Sequence, residues 1–167
     1  EENAKDYLLK DLKEFFHFYP WGRYPDELGD ATFKLYNQLL ELTSVLLEWI
    51  QSQSPIHIQS LFSTPLPEMI KRTNRNLSRI IHYPPLDGSE QKGEIRGSPH
   101  EDINLITLLV AGTQPGLQVK DNKGVWHDVS CDLGQLAINV GDMLQEASAG
   151  YYPSTTHRVV NPGTNIE

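Results

Sequence analysis

The chain has 167 residues, with 22 acidic against 14 basic side chains, a net charge of −8 and 38% hydrophobic residues. That length suits a single domain with a sizeable core, and the acidity argues against nucleic acid, whose phosphates demand a basic surface. Cys131 is the only cysteine, which excludes an internal disulfide and fits a reducing, cytoplasmic setting, and no apolar run is long enough to span a membrane.

Tyr7 to Phe16 places Leu8, Leu12, Phe15 and Phe16 at near-helical intervals and predicts a helix. Phe18 to Gly29 contains two prolines and two glycines and predicts a loop. Asp30 is then the candidate N-cap of the strongest helix in the chain. Phe33, Tyr36, Leu39, Leu40, Thr43, Leu46, Leu47 and Ile50 follow the i, i+3, i+4 rule for more than four turns. That apolar stripe needs cover, most simply from the outer face of a β-sheet. Pro67 to Arg75 reads as a short helix, and Lys71, Arg72, Arg75 and Arg79, the only basic cluster, read as its solvated end.

From Leu77 onward the pattern changes to short strands separated by Pro, Gly, Asp and Asn, which predicts antiparallel sheet. Leu77 to Tyr83 alternates so that Arg79, Ile81 and Tyr83 share one face, with Ile80 and His82 on the other. Asn104 to Val110 is a β-branched, apolar strand. Gly116 to Val119 and Val125 to Val129 flank Asp121-Asn122-Lys123-Gly124, a hairpin signal. Trp126 is expected to pack, and Gly141-Asp142 to form a structural turn. The fold class is therefore mainly β with flanking helices: one domain, 1–167, with a helical flanking region at 1–76 and a β core at 77–167.

Three residues carry the chemistry. His100 and Asp102 stand two apart, so an extended segment would send both into one cavity and turn Glu101 away. His157, in Ser154-Thr155-Thr156-His157-Arg158-Val159-Val160, must reach that cavity from another strand. Two imidazoles and a carboxylate can cap one face of a ferrous ion and leave the remaining positions open. The same three residues also suit zinc with a water in the fourth position. A pair of core histidines and a capping aspartate is the plain alternative. His17, His57 and His127 lie outside any metal spacing, and His82 faces away from Tyr83.

The words around these residues occur in a telling order: Ile81-His82-Tyr83-Pro84-Pro85, Gly116-Leu117-Gln118-Val119, Trp126, Asn139-Val140-Gly141-Asp142-Met143-Leu144-Gln145, then Gly150-Tyr151-Tyr152-Pro153-Ser154 leading into His157-Arg158-Val159-Val160-Asn161-Pro162. This resembles the isopenicillin N synthase-like branch of the iron(II)/2-oxoglutarate-dependent oxygenases. The resemblance is clear from about Leu77 to Pro162 and fainter at Asp11-Leu12-Lys13-Glu14-Phe15-Phe16.

The resemblance implies a double-stranded β-helix (jelly-roll) core and an Fe(II) centre held by His100, Asp102 and His157, with no catalytic residue beyond these ligands. It also implies 2-oxoglutarate as cosubstrate, contacted by Tyr83, with O₂ as oxidant and ascorbate as a stimulant. The activity implied is oxidation of a small molecule, by hydroxylation or desaturation, with release of succinate and CO₂ from a monomeric enzyme. An oxidase that uses no 2-oxoglutarate and a non-catalytic jelly-roll binding module are the alternatives. Two departures stand out. Ile81 occupies the place of an Asn common in the family. The family's Arg-x-Ser strand and its leading strand-and-helix segment would fall beyond Glu167 and before Glu1, so the jelly-roll is expected to be incomplete at both ends.

Overall fold

The computed structural model describes residues 9–130 and 132–162. Cys131 lies outside them, as do Tyr7 and Leu8 of the first predicted helix. The described residues form eight short strands, four α-helices and one 3-10 turn, with the strands in three separate sheets. The described residues form two compact units, one made of residues 15–81 and 147–151, the other of residues 9–14, 82–130, 132–146 and 152–162.

In the first of these units, β1 (Glu14–Phe18) and β2 (Ser78–His82) make a two-stranded sheet. β1 corrects the expected helix across Tyr7 to Phe16. The apolar spacing there is too short to nucleate helix on its own, and a sheet partner at β2 decides the conformation. The predicted loop is largely as expected, broken only by the 3-10 turn Asp26–Leu28.

α1 (Gly29–Gln53) follows directly from that turn, so Leu28 rather than Asp30 occupies the N-cap, without a side-chain cap bond. Asp30 sits inside the first turn instead, where its charge favours the unpaired amides. The α1 stripe buries Tyr36 and Leu47, each worth about 1.5–3 kcal/mol relative to exposure. Its cover comes from the Phe18 ring, 5.8 Å from Tyr36 and 6.4 Å from Phe33, and from α3 (Leu66–Lys71), with Leu66 and Ile70 buried. α2 (Ile56–Gln59) lies between α1 and α3 in sequence. The Gln51 Oε1 accepts the Leu66 N–H at 2.7 Å and ties the start of α3 to the end of α1. Lys71 and Arg72 both reach Glu68 at the solvated helix end.

The other unit contains a four-stranded sheet in the order β3 (Gly97–His100), β8 (His157–Val159), β5 (Leu117–Lys120), β6 (Trp126–Asp128), and a pair formed by β4 (Ile106–Val110) and β7 (Leu136–Val140). Every pairing with a resolved register in these sheets is antiparallel. The β5–β6 hairpin is where the sequence places it. Asp121 Oδ1 accepts the N–H groups of Lys123 and Val125, and Gly124 takes φ +83, a conformation that suits glycine. Trp126 packs as expected, with the Arg158 guanidinium 4.1 Å above its ring. α4 (Asp142–Ala147) begins where a simple turn was expected. No helix among the described residues is long and apolar enough to cross a membrane.

Candidate metal centre

β8 lies between β3 and β5, and its first residue, His157, is paired in register with His100 on one side and Val119 on the other. Between Gly97 and His100 the β3 register shifts by an irregularity of the bulge kind, a device that re-aims a side chain. The two imidazoles end 4.3 Å apart, centroid to centroid, at 52°. Asp102 is not on a strand. It follows the end of β3, in the connection to β4, so strand alternation alone does not place it beside His100.

The donor atoms of His100, Asp102 and His157 all lie within 4.8 Å of one another. Each Nε2 is 3.9 Å from Asp102 Oδ1, and side-chain exposure is only 12%, 10% and 13% in chain order. The atoms not facing one another are already engaged. His100 Nδ1 lies 2.7 Å from the Ser98 carbonyl and His157 Nδ1 lies 2.9 Å from the Thr155 carbonyl. A carbonyl can only accept, so each Nδ1 carries the proton and each Nε2 presents a lone pair. Asp102 Oδ2 accepts from Thr107 Oγ1 at 2.5 Å and from Asn139 Nδ2 at 2.8 Å, which leaves Oδ1 aimed at the two Nε2 atoms. Three lone-pair donors converge, each with its second polar atom tied down; that is the arrangement a divalent metal requires. His/His/Asp donors with positions left over suit a ferrous ion.

Burial alone would raise the Asp102 carboxyl. The hydrogen bonds from Asn139 and Thr107, then the neighbouring imidazoles, outweigh it and hold the pKa below the ordinary value. The carboxylate is thereby held toward its ionised form, the form a metal ligand needs.

The loop that carries Asp102 is clasped by the start of α4. Gly141 N–H donates to Leu105 O, Asp142 N–H to Asp102 O at 2.7 Å, and Met143 N–H to the carbonyls of Ile103 and Asn104. Gly141 permits this approach, because a Cβ there would lie 2.3 Å from Asn104 O and 2.7 Å from Asp102 O. Asp142 thus serves the site through its backbone and stands outside the donor cluster.

Other expectations resolve simply. Tyr83 follows β2, half-buried, with the Arg96 guanidinium 5.3 Å from its ring. His82 pairs with Glu14, His127 with Asp121, and His17 with Arg79; none of these histidines belongs to the donor cluster. Sequence reasoning missed Thr107 and Asn139. Each is a polar residue inside an otherwise apolar strand, and that interruption was the available signal.

Comparisons with known proteins agree with this geometry. The profile of the 2OG-Fe(II) oxygenase superfamily matches residues 74–166. The 2-oxoglutarate-dependent dioxygenase citB of Monascus ruber is 31% identical over 148 residues, covering 82% of this chain and 43% of that protein. Gibberellin 2-beta-dioxygenase 3 of Arabidopsis thaliana is 30% identical, covering 81% of this chain and 40% of that one. The chain therefore spans less than half the length of these relatives. Among solved structures, a Shewanella oneidensis protein named by class only, as an oxygenase, superimposes with a TM-score of 0.85 at 55% identity, over 93% of this chain and 58% of that one. A full-length Neurospora crassa protein, solved in complex with alpha-KG, gives a TM-score of 0.68 at 25% identity, over 93% of this chain and 50% of its own. On the profile match, the relatives and the buried His–Asp–His cluster together, the chain belongs to the 2OG-Fe(II) oxygenase superfamily.

Proposed function

We infer that this chain forms the iron- and cosubstrate-binding part of an oxygenase, on a double-stranded β-helix core, that oxidises a small molecule by hydroxylation or desaturation. The observation that carries this reading is the donor arrangement: two Nε2 lone pairs and Asp102 Oδ1 converge while every opposing atom is hydrogen-bonded elsewhere. With Fe(II), 2-oxoglutarate and O₂ bound, such a centre supplies oxidative decarboxylation to succinate and CO₂ coupled to hydrogen removal from the second substrate. The names of the Monascus and Arabidopsis relatives point to the same class of oxygenase.

The chain's own residues would act by orientation. His100, Asp102 and His157 would hold the ion. Thr107 and Asn139 fix the carboxylate, and the carbonyls of Ser98 and Thr155 fix the ring tautomers. Tyr83 would donate its hydroxyl to the far carboxylate of 2-oxoglutarate. Succinate release by the full-length protein on adding Fe(II), ascorbate and 2-oxoglutarate tests the reading. Oxygen consumption without 2-oxoglutarate would instead assign an oxidase, and no turnover alongside metal binding would assign a binding module.

A further inference from the structure

α1 buries one face, through Tyr36 and Leu47, and leaves another exposed. Ala31, Leu35, Gln38, Leu42, Val45 and Trp49 are all exposed, Trp49 to 61%. Their spacing alternates between four residues and three, which on a helix gathers them into one stripe away from the buried face. That alternation is the seam of two helices packed side by side, and a face that only meets water has no use for Leu35, Leu42, Val45 and Trp49 along it.

The borders of the stripe say what fits it. Lys34, Glu41 and Glu48 follow one border at intervals of seven, all exposed. Leu39 and Leu46, half-buried, follow the other. A parallel copy of α1 would set the charged border against the apolar one and make no ion pair. An antiparallel copy sets the charged border against itself, so that Lys34 meets the partner's Glu48 and Glu48 meets the partner's Lys34 about a two-fold axis. The same register lays Trp49 over the partner's Ala31, large against small, and Val45 over the partner's Leu35. Beside Val45, Leu40 and Ile70 line a cavity of about 410 Å³ between α1 and α3, which gives the partner's Leu35 room. The register has one defect: Glu41 faces the partner's Glu41 at the axis.

We propose that this stripe is a self-association surface, on which a second copy of the chain packs its own α1 antiparallel, in the register that pairs Lys34 with the partner's Glu48. The dimer replaces the monomer that the resemblance implies, and it stands independently of the metal centre.

Sedimentation equilibrium of the full-length protein over a wide concentration range tests the proposal. The wild type should form dimers. Lys34→Glu and Glu48→Lys should each weaken them about tenfold, because two ion pairs become two repulsions. Both the doubly substituted protein and an equimolar mixture of the two single variants should recover most of the loss, since each restores opposite charges across the seam. Glu41→Gln should tighten the dimer, and Leu42→Glu should abolish it. The charge variants lie at exposed positions and carry the test even if Leu42→Glu fails to fold. A wild type that stays monomeric, as when another part of the same polypeptide covers the stripe, would overturn the proposal. So would a dimer that survives Leu42→Glu, or one that the charge exchange fails to restore.

Discussion

Thr107 and Asn139 face each other in register across the β4–β7 pair, and both donate to the same atom, Asp102 Oδ2. A second cross-strand pair, His100 and His157, supplies the two imidazoles from the β3–β8 ladder. The cluster is thus assembled from one register pair in each of two sheets, joined through a single loop carboxylate. Asn104 Nδ2 donates to Thr107 Oγ1, so the threonine hydroxyl hydrogen is directed onward to Asp102.

Removing either donor should loosen the metal without unfolding the protein. Groups that orient a ligand typically contribute about 10–100-fold in metal affinity. Thr107→Val and Asn139→Leu are each expected to fall in that range in a chelator-competition titration, while Thr107→Ser, which keeps the hydroxyl, stays near wild type. Wild-type affinity in both apolar variants would assign the pair a purely structural role.

The three proposed ligands are a sterner case. His100→Ala, Asp102→Ala and His157→Ala should each abolish stable Fe(II) binding and turnover while far-UV circular dichroism is retained, because the apolar core is built from other residues such as Ile106, Leu144 and Val160. Elemental analysis decides the matter: full metal occupancy in the His157→Ala protein would remove it from the ligand set.

Gly141→Ala should damage stability and metal binding together. The added methyl would press on the carbonyls of Asn104 and Asp102, and relief requires the backbone loop that carries Asp102 to move. Overpacking of this kind costs about 1–3 kcal/mol, at about 2–4 °C of Tm for each kcal/mol in a protein of this size. A variant with a lowered Tm and unaltered metal affinity would show that the clasp does not position the ligand.

Tyr83→Phe should raise the KM for 2-oxoglutarate more than it lowers kcat. A hydrogen bond to a charged acceptor is worth about 1.5–3 kcal/mol, which corresponds to roughly tenfold or more in affinity. An unchanged KM would return Tyr83 to a packing role.

Asp11 gives the fold an acid limit. Burial alone would raise its carboxyl, but hydrogen bonds from Lys13 and Ser98 outweigh that and hold the pKa below its ordinary value of 3.8. A depressed carboxylate contributes stability that is fully present above the unfolded pKa and is lost as pH falls through the folded one. Asp11→Asn should therefore lower stability near neutrality, by about 1 kcal/mol for a partly solvated group, and flatten the acid limb of a stability-against-pH curve. Parallel curves for the two proteins would contradict this.

The long helix, the β5–β6 hairpin and the three clustered donors were legible in the sequence because each rests on local spacing. β1 was not: Phe15 and Phe16 fit a helical interval, and only the distant β2 makes their segment a strand. Alternation put Asp102 beside His100 for an incomplete reason. β3 ends at His100, and the carboxylate is aimed by Thr107, Asn139 and the α4 clasp, all later in the chain.

The place of β8 between β3 and β5 has a kinetic consequence. His100 and His157 are separated by more than a third of the chain, so the ladder that joins them forms only once the entropy of closing a long loop has been overcome. The three donors come together only once β8 has docked, so a bound ion would stabilise that closed form by mass action. Added metal should slow the opening of β8 while leaving the first steps of folding untouched.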